Sequence, residues 1–291
     1  MIVVTTPTGD IGSKVVAKLV SGKEKVRVIV RDASKLNSSI RDAVEIVEGS
    51  QNDPDTVLKA FEGTDVIFWI VPPQTDADNV TDYYTSSNRI AADAMRQQGV
   101  KRAVWVSTLG SDTNTNAGHL SAALKSDSAL LETGISARIL CPATFMENLL
   151  RQVTSLKEHG AFSLPIAADH VFHNIATRDI ADAAVSFLTD VSWEGQKKVP
   201  LVGPDNLTPN QMAGTISEVL GKPITFRETD RNAMVPHMMS RGMSEAWARG
   251  LADMATAQND GFYIASAATA PRAPTSFKVW CAEVLKPAVF G

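Results

Sequence analysis

The sequence has only two cysteines, Cys141 and Cys281, far apart and outside any CxxC pair. A disulfide scaffold and a cysteine-rich zinc site are thereby excluded, and a reducing, cytoplasmic location is the expectation. Long hydrophobic runs are missing as well. The longest unbroken apolar stretch, Val66 to Val71, falls far short of the roughly 20 residues that span a bilayer, so no membrane partner is expected. No basic leader precedes Ile2-Val3-Val4, and no secretory signal is expected. Excess positive charge is absent: 28 Lys and Arg against 32 Asp and Glu give a formal net charge of -4. Without a basic footprint, nucleic acid is not an expected partner. There is no Gly-x-Ser-x-Gly elbow of a serine hydrolase, no internal repeat and no low-complexity tract. What is present is 291 residues, 44% hydrophobic and 21% charged, the balance of an ordinary globular chain with room for one large core and a smaller satellite.

The first two thirds of the chain alternate in period. Ile2–Thr5, Val26–Val30, Ala43–Val47, Asp65–Val71, Arg102–Ser107 and Ser136–Leu140 are near-continuous apolar runs, the pattern of strands covered on both faces. Between them, Ile11, Val15, Val16, Leu19 and Val20 repeat at helical spacing, Asp53-Pro54-Asp55 opens a helix, and Asn79–Gln98 and Leu120–Glu132 supply two longer ones. Strand–helix–strand alternation of this kind implies right-handed βαβ units and a parallel sheet. After Pro142 the expected pattern is a helix over Thr144–Leu156, a loop over Gly160–Asp169, and short strands at Val171–Ala176 and Lys198–Val202 flanking a helix Arg178–Asp190. A helix to Leu220, a strand Pro223–Glu228, helices Asn232–Arg241 and Ser244–Ala257, a loop Ala265–Pro274 and a helix Thr275–Leu285 complete the reading. The expected architecture is α/β: a Rossmann-type, doubly wound parallel sheet with a smaller mixed carboxyl-terminal portion. The nucleotide domain is placed at residues 1–154, with 171–202 returning to its sheet, and the smaller substrate or lid portion at 155–291.

The first strand runs into Thr6-Pro7-Thr8-Gly9-Asp10-Ile11-Gly12, where a helix starts. A dinucleotide site needs this context: a tight turn, a backbone that can approach a pyrophosphate, and a helix amino end offering free N–H groups. Gly9 is the close-approach residue and Gly12 lets the helix pack on the sheet. Threonine stands where the first glycine of the fingerprint is usual, so Thr6 is expected in a β-like conformation that Pro7 helps to fix. The alternative is a plain strand–turn–helix corner without a ligand.

These residues resemble the NmrA-like family, a branch of the atypical short-chain dehydrogenases/reductases. After Val4–Gly12, Val28-Ile29-Val30-Arg31-Asp32 is similar to the family's second strand, Gly63-Thr64-Asp65-Val66 to the entry of its fourth, and Arg102–Thr108 to its fifth. Ile139–Asn148 resembles its "LRP–F–N" segment and Arg178-Asp179-Ile180-Ala181 its "RDIA" helix start. The resemblance extends to about residue 190, and more loosely beyond. It implies an NAD(P)-binding protein, either a reductase or a non-catalytic redox sensor that regulates a partner protein.

Arg31 at the end of the second strand suits the 2′-phosphate of NADP, with Lys35 one turn on, and the resemblance implies the same preference. Asp32 is the competing residue, able to pair with Arg31 or contact a ribose. The family's cofactor path further implicates Thr6, Thr8, Gly9, Asp10, Ile11, Val71, Pro72, Ser107, Pro142 and Phe145. Short-chain dehydrogenases carry Tyr-x-x-x-Lys on the helix after strand five. Here His119 falls on the tyrosine, Ala123 on the lysine, and Lys125 stands two residues further along, about 200° around the helix. The catalytic residues are therefore unassigned, with His119, Phe145, Met146 and Asn148 as substrate-contact candidates. The methionine-rich stretch Met234, Met238, Met239, Met243 with Trp247 is an adaptable apolar surface able to close over them. His170 and His173 are expected on opposite sides of one strand with no other clustered ligand, so no metal is expected, and Asp76, Asp78 and Asp82 are expected on a solvated loop and helix start. The leading expectation is an NADPH-dependent reductase of a small conjugated acceptor (quinone, azo or enone), either alone, as a homo-oligomer or with a regulated protein partner.

Overall fold

The strands follow one another because each is short, β-rich and bounded by turn chemistry. In a computed structural model that describes residues 1–111, 114–190 and 192–291, the chain opens with β1 (Ile2–Val4), α1 (Gly12–Ser21) and β2 (Val26–Val30). It continues through α2 (Ser38–Arg41), β3 (Glu45–Glu48), α3 (Pro54–Ala60), β4 (Val66–Trp69), α4 (Val80–Gln98), β5 (Arg102–Val106), α5 (His119–Leu131) and β6 (Ser136–Pro142). Side-chain caps fix the helix starts: Asp53 accepts from Thr56 N at α3, and Asn79 from Asp82 N at α4. Gly99, in the left-handed region at φ 64°, ends α4.

The second part brings β7 (Thr144–Phe145), α6 (Val153–His159), β8 (Ala161–Leu164), β9 (Asn174–Ile175), α7 (Thr177–Thr189) and β10 (Gln196–Leu201). Then come α8 (Pro209–Leu220), β11 (Thr225–Glu228), α9 (Arg231–Ser240), α10 (Glu245–Asn259), α11 (Ile264–Thr269), α12 (Phe277–Trp280) and α13 (Lys286–Phe290).

Seven strands form one sheet in the order β10-β6-β5-β4-β1-β2-β3, every pairing parallel. The period-2 geometry of a strand sends alternate side chains to opposite faces. Val4, Val28, Phe68, Val104 and Leu140 meet Val15, Val16 and Leu19 of α1 and Ile180, Ala184 and Leu188 of α7. Val3, Ile29, Ile67, Trp105 and Ile139 meet Val57 of α3, Ala91 and Met95 of α4 and Leu130 of α5. Each large apolar side chain buried in this way contributes roughly 1.5–3 kcal/mol. Both faces are covered, so the architecture is a doubly wound Rossmann-type sheet, in line with the alternation of the sequence. Two indoles pin helices to strands: Trp69 Nε1 donates to Asn88 Oδ1 of α4 at 2.9 Å and Trp105 Nε1 to Asp127 Oδ1 of α5 at 3.0 Å. A third core, with Met146, Leu156, Phe162, Met212, Ile216, Phe277 and Trp280, supports the carboxyl-terminal portion.

Four sequence expectations need correction. Thr144–Leu156 is not one helix: β7 is followed by a 3-10 stretch, Met146–Gln152, before α6. The expected loop Gly160–Asp169 contains β8, which acquires its ladder from β11 more than sixty residues later. Of Val171–Ala176 only Asn174–Ile175 pairs, with β7 rather than the main sheet, so His170 and His173 precede the strand instead of sharing it. The Ala/Thr-rich stretch within Ala265–Pro274 is helical in α11 up to Thr269, alanine prevailing over the loop signal.

Candidate functional site

The carboxyl ends of the parallel strands converge on one edge, where doubly wound sheets bind ligands. At β1 the chain leaves the sheet through Thr6–Ile11. Thr6 corrects the expectation of a β-like turn, since its φ is 50°, in the left-handed region. This conformation turns the Thr6 carbonyl under the turn, where it accepts from Gly9 N at 3.0 Å. Gly12 is required by the same carbonyl, because a Cβ there would stand 2.1 Å from Thr6 O. At Gly9 a Cβ would lie 3.4 Å from Thr6 O, an ordinary contact, so glycine at that position leaves open space above the turn rather than relieving a clash. Thr8 and Asp10 are exposed and Ile11 is buried. α1 has no side-chain cap and no acid in its first turn; Ser13 N and Lys14 N donate to the carbonyls of Gly9 and Ile11, which leaves the N–H groups of Asp10, Ile11 and Gly12 to meet an anion.

Arg31, at the end of β2, is exposed and takes part in no ion pair or hydrogen bond among the described residues. Asp32 makes no ion pair with Arg31 among the described residues, and one of its two carboxylate oxygens is engaged within its own turn. Its carboxylate caps the next 3-10 turn, accepting from Ser34 N at 2.9 Å and Ser34 Oγ at 2.6 Å, and those bonds hold its pKa below the ordinary value. Lys35 is exposed in the same turn.

Beyond β4, Val71 packs against Trp247 and Tyr83, and the Pro72 carbonyl accepts from Tyr83 Oη at 2.8 Å. Beyond β5, Ser107 Oγ donates to Asp127 at 2.7 Å. Burial pushes the Asp127 carboxyl up to about 6, against the lowering effect of its Ser107 and Trp105 bonds. The Pro142 carbonyl, at the end of β6, accepts from Leu109 N at 3.0 Å.

His119, aligned with the missing tyrosine, stands at the start of α5 and is turned into α10. Its Nε2 lies 3.1 Å from the Trp247 carbonyl and its ring 4.3 Å from the Trp247 ring, while burial lowers its pKa. Gly118 and Gly250 permit this crossing, since a Cβ on Gly118 would sit 1.9 Å from Gly250 O. Ala123 offers no charge and Lys125 is exposed.

Phe145 packs against the core under the sheet edge, whereas Met146 enters the carboxyl-terminal core and Asn148 is half-buried in the 3-10 stretch. Trp247 and Met243 lie with Ala77, Val80 and Tyr83, in a different apolar cluster from Met146. Glu147, between them, is structural: it accepts from Thr177 N at 3.0 Å and Trp280 Nε1 at 3.2 Å. Asp179 of the RDIA segment likewise accepts from Thr275 Oγ1 at 2.7 Å and ties the carboxyl-terminal segment to α7.

Sequence spacing alone misses a cluster over the ends of β5 and β6. Tyr263 Oη lies 3.2 Å from Thr108 Oγ1, and Gln258 Nε2 donates to Thr144 Oγ1 at 3.1 Å. Beside it is a narrow crevice of about 10 Å³, room for a single water, between 170–173 and the turn after α10, lined by His170, Phe172, His173, Gln258, Tyr263 and Ile264. No cluster of three His, Cys, Asp or Glu able to hold a metal occurs among the described residues, and among them no helix is long and apolar enough to cross a membrane.

A doubly wound sheet with an uncapped first helix over a glycine turn, and a free arginine closing the second strand, defines a Rossmann protein of the dinucleotide-binding type. The chain belongs to the NmrA-like family, whose model matches residues 1–273. It is 28% identical over 256 residues to an NAD(P)H azoreductase of Xenophilus azovorans, covering 87% of this chain and 86% of that protein. Its fold is shared with a nucleoside-diphosphate-sugar epimerase of Staphylococcus aureus (TM-score 0.81, 18% identity, 97% and 99% of the two chains). It is also shared with an NADPH-dependent quinone oxidoreductase of Escherichia coli in complex with NADPH (TM-score 0.78, 20% identity, 98% and 100%).

Proposed function

We propose that the protein is an NADPH-dependent oxidoreductase that reduces a small conjugated acceptor of the quinone, azo or enone class. The observation that carries the reading is the turn Thr6–Gly12, shaped so that a phosphate can approach the backbone of Thr8–Ile11 at the amino end of α1. These residues fit a pyrophosphate, and Arg31 with Lys35, both exposed, fits a 2′-phosphate. Val71, Pro72, Ser107, Pro142 and Phe145 line the remaining path along the strand ends toward β6. Bound NADPH supplies the hydride, and the protein supplies orientation and a dry, shaped edge.

The azoreductase and quinone oxidoreductase relatives support a conjugated acceptor, as does the helix after β5, where neither His119 nor Lys125 reproduces a Tyr–Lys pair. An acceptor whose reduced form takes protons readily asks less of the protein than a simple ketone. Parallel titrations with NADPH, followed by a screen of quinone, azo and ketone acceptors, test the reading. Tight NADPH binding with no turnover of any acceptor would transfer the assignment to a redox sensor that regulates a partner protein.

A further inference from the structure

We propose that the Thr6 hydroxyl is a side-chain ligand of the cofactor's pyrophosphate, and that the left-handed backbone of Thr6 is retained because it aims the hydroxyl there. The proposal rests on the dinucleotide reading above. It adds a side-chain contact at the position where the fingerprint usually has glycine.

The backbone is the first argument. A β-branched residue at φ 50° is an outlier, because its side chain crowds the flanking backbone in the left-handed region. Glycine adopts the same conformation freely, so the turn by itself asks for glycine. The other non-glycine residue with positive φ among the described residues is Lys23, and it closes the end of α1, where a left-handed residue is routine. Thr6 closes no helix. Its neighbours hold it in place instead. Thr5 N donates to the Phe68 carbonyl at 3.1 Å and Ile70 N donates to Thr5 Oγ1 at 3.0 Å, which locks the preceding residue to β4. On the other side Gly9 N donates to the Thr6 carbonyl at 3.0 Å, and Pro7 is buried with its own φ fixed. Strain maintained by its surroundings at a ligand-binding edge points to a role in binding.

The direction of the hydroxyl is the second. The missing side chain of Gly9 leaves the space through which a phosphate reaches the turn. A Cβ placed on Gly9 would stand 3.8 Å from Thr6 Cβ and 3.9 Å from Thr6 Oγ1, so the Thr6 side chain borders that space. Thr5 Oγ1, one residue earlier, is fully used: it donates to the Phe68 carbonyl at 3.2 Å and accepts from Ile70 N. Thr6 Oγ1 makes no hydrogen bond among the described residues. Thr6 is only half-buried, and Thr8 and Asp10 beside it are exposed, so an incoming group has access from solvent. A hydroxyl donates one hydrogen bond, and a phosphate oxygen accepts it.

Charge is the third. The only charged side chain in the stretch Thr6–Gly12 is an acid, Asp10, which repels a pyrophosphate. The next cation along the chain, Lys14, is engaged by the Asp10 carbonyl at 2.7 Å. The turn therefore depends on neutral donors. The N–H groups of Asp10, Ile11 and Gly12 are three, and the Thr6 hydroxyl is a fourth.

Three substitutions separate a contact from an obstruction and from strain. Each is made in the full chain, with affinity for NADPH and for NADH read by nicotinamide fluorescence and melting read by circular dichroism. Thr6→Gly removes both the strain and the hydroxyl. It should melt at or a few degrees above the parent, yet bind each cofactor about tenfold more weakly. Thr6→Val keeps the branched shape and loses the hydroxyl, so it should show the same loss of affinity and melt within about 2 °C of the parent. Thr6→Ser keeps the hydroxyl and should bind within about threefold of the parent. Should Thr6→Val fail to fold, the glycine and serine variants decide. A Thr6→Gly protein that binds as tightly as the parent, or more tightly as an obstructing side chain would require, overturns the proposal alone. So does a loss confined to NADPH, which would put the hydroxyl on the 2′-phosphate, or a Thr6→Gly protein that melts well below the parent, which would make the side chain structural. A parent that binds neither cofactor overturns the dinucleotide reading, and the proposal with it.

Discussion

Two glycines of the first turn separate a structural demand from a ligand demand. At Gly12 a Cβ would stand 2.1 Å from the Thr6 carbonyl oxygen and 2.8 Å from its carbon, both backbone atoms that no rotamer change can move. Relief requires a shift of about 1 Å in the turn, and overpacking of a rigid site costs roughly 3 kcal/mol. For a chain of this size, a loss of that order lowers the melting temperature by roughly 6–12 °C. Gly12→Ala should show this drop by circular dichroism even without cofactor. Gly9 is different, since its Cβ would meet Thr6 O at 3.4 Å, an ordinary distance. Gly9→Val should melt within a few degrees of the parent while losing NADPH affinity, because the added side chain occupies the space reserved for phosphate. A Gly12→Ala protein as stable as the parent, or a folded Gly9→Val protein with parental NADPH affinity, would refute this division of roles.

Asp127 gives a pH signature. Its carboxyl is raised to about 6 from 3.8 by burial, so the native state holds its proton where the unfolded chain has lost it. Stability therefore falls as pH rises through that window, by about 3 kcal/mol for this group alone. Asp127→Asn should flatten urea-derived stability between pH 4 and 7 by that amount, and parallel curves for parent and variant would contradict the assignment. His119→Ala removes the bond to the Trp247 carbonyl and the ring contact behind it, and should lower stability by about 1–3 kcal/mol while changing turnover only a few-fold. Turnover lost 100-fold at unchanged melting temperature would make His119 the acid instead.

The main sheet was legible because its signal is local. Strands such as Val66–Trp69 are apolar on both faces, and the helices between them repeat their apolar positions within one or two turns. The phosphate turn was legible for the same reason, although Thr6 adopts a left-handed φ that its residue type disfavours. The compensation is the hydrogen bond from Gly9 and the close approach of Gly12. What escaped depends on distant partners. Ala161–Leu164 is a strand only because Thr225–Glu228 pairs with it, and Tyr263 belongs to the sheet edge only through Thr108, 155 residues earlier. The role of Asp32 is intermediate: its Ser34 contacts are local, yet an acid at that strand end reads equally as a ribose ligand.

The central claim is that this edge binds NADPH through the first turn with Arg31 on the 2′-phosphate. The most direct measurement is a fluorescence titration of the parent and of Arg31→Ala with NADPH and with NADH. A charge-assisted contact of about 1.5–3 kcal/mol predicts that the parent prefers NADPH and that the variant loses roughly 10- to 150-fold for NADPH with NADH unchanged. Equal affinity of the parent for the two cofactors, or equal losses for both in Arg31→Ala, would contradict it.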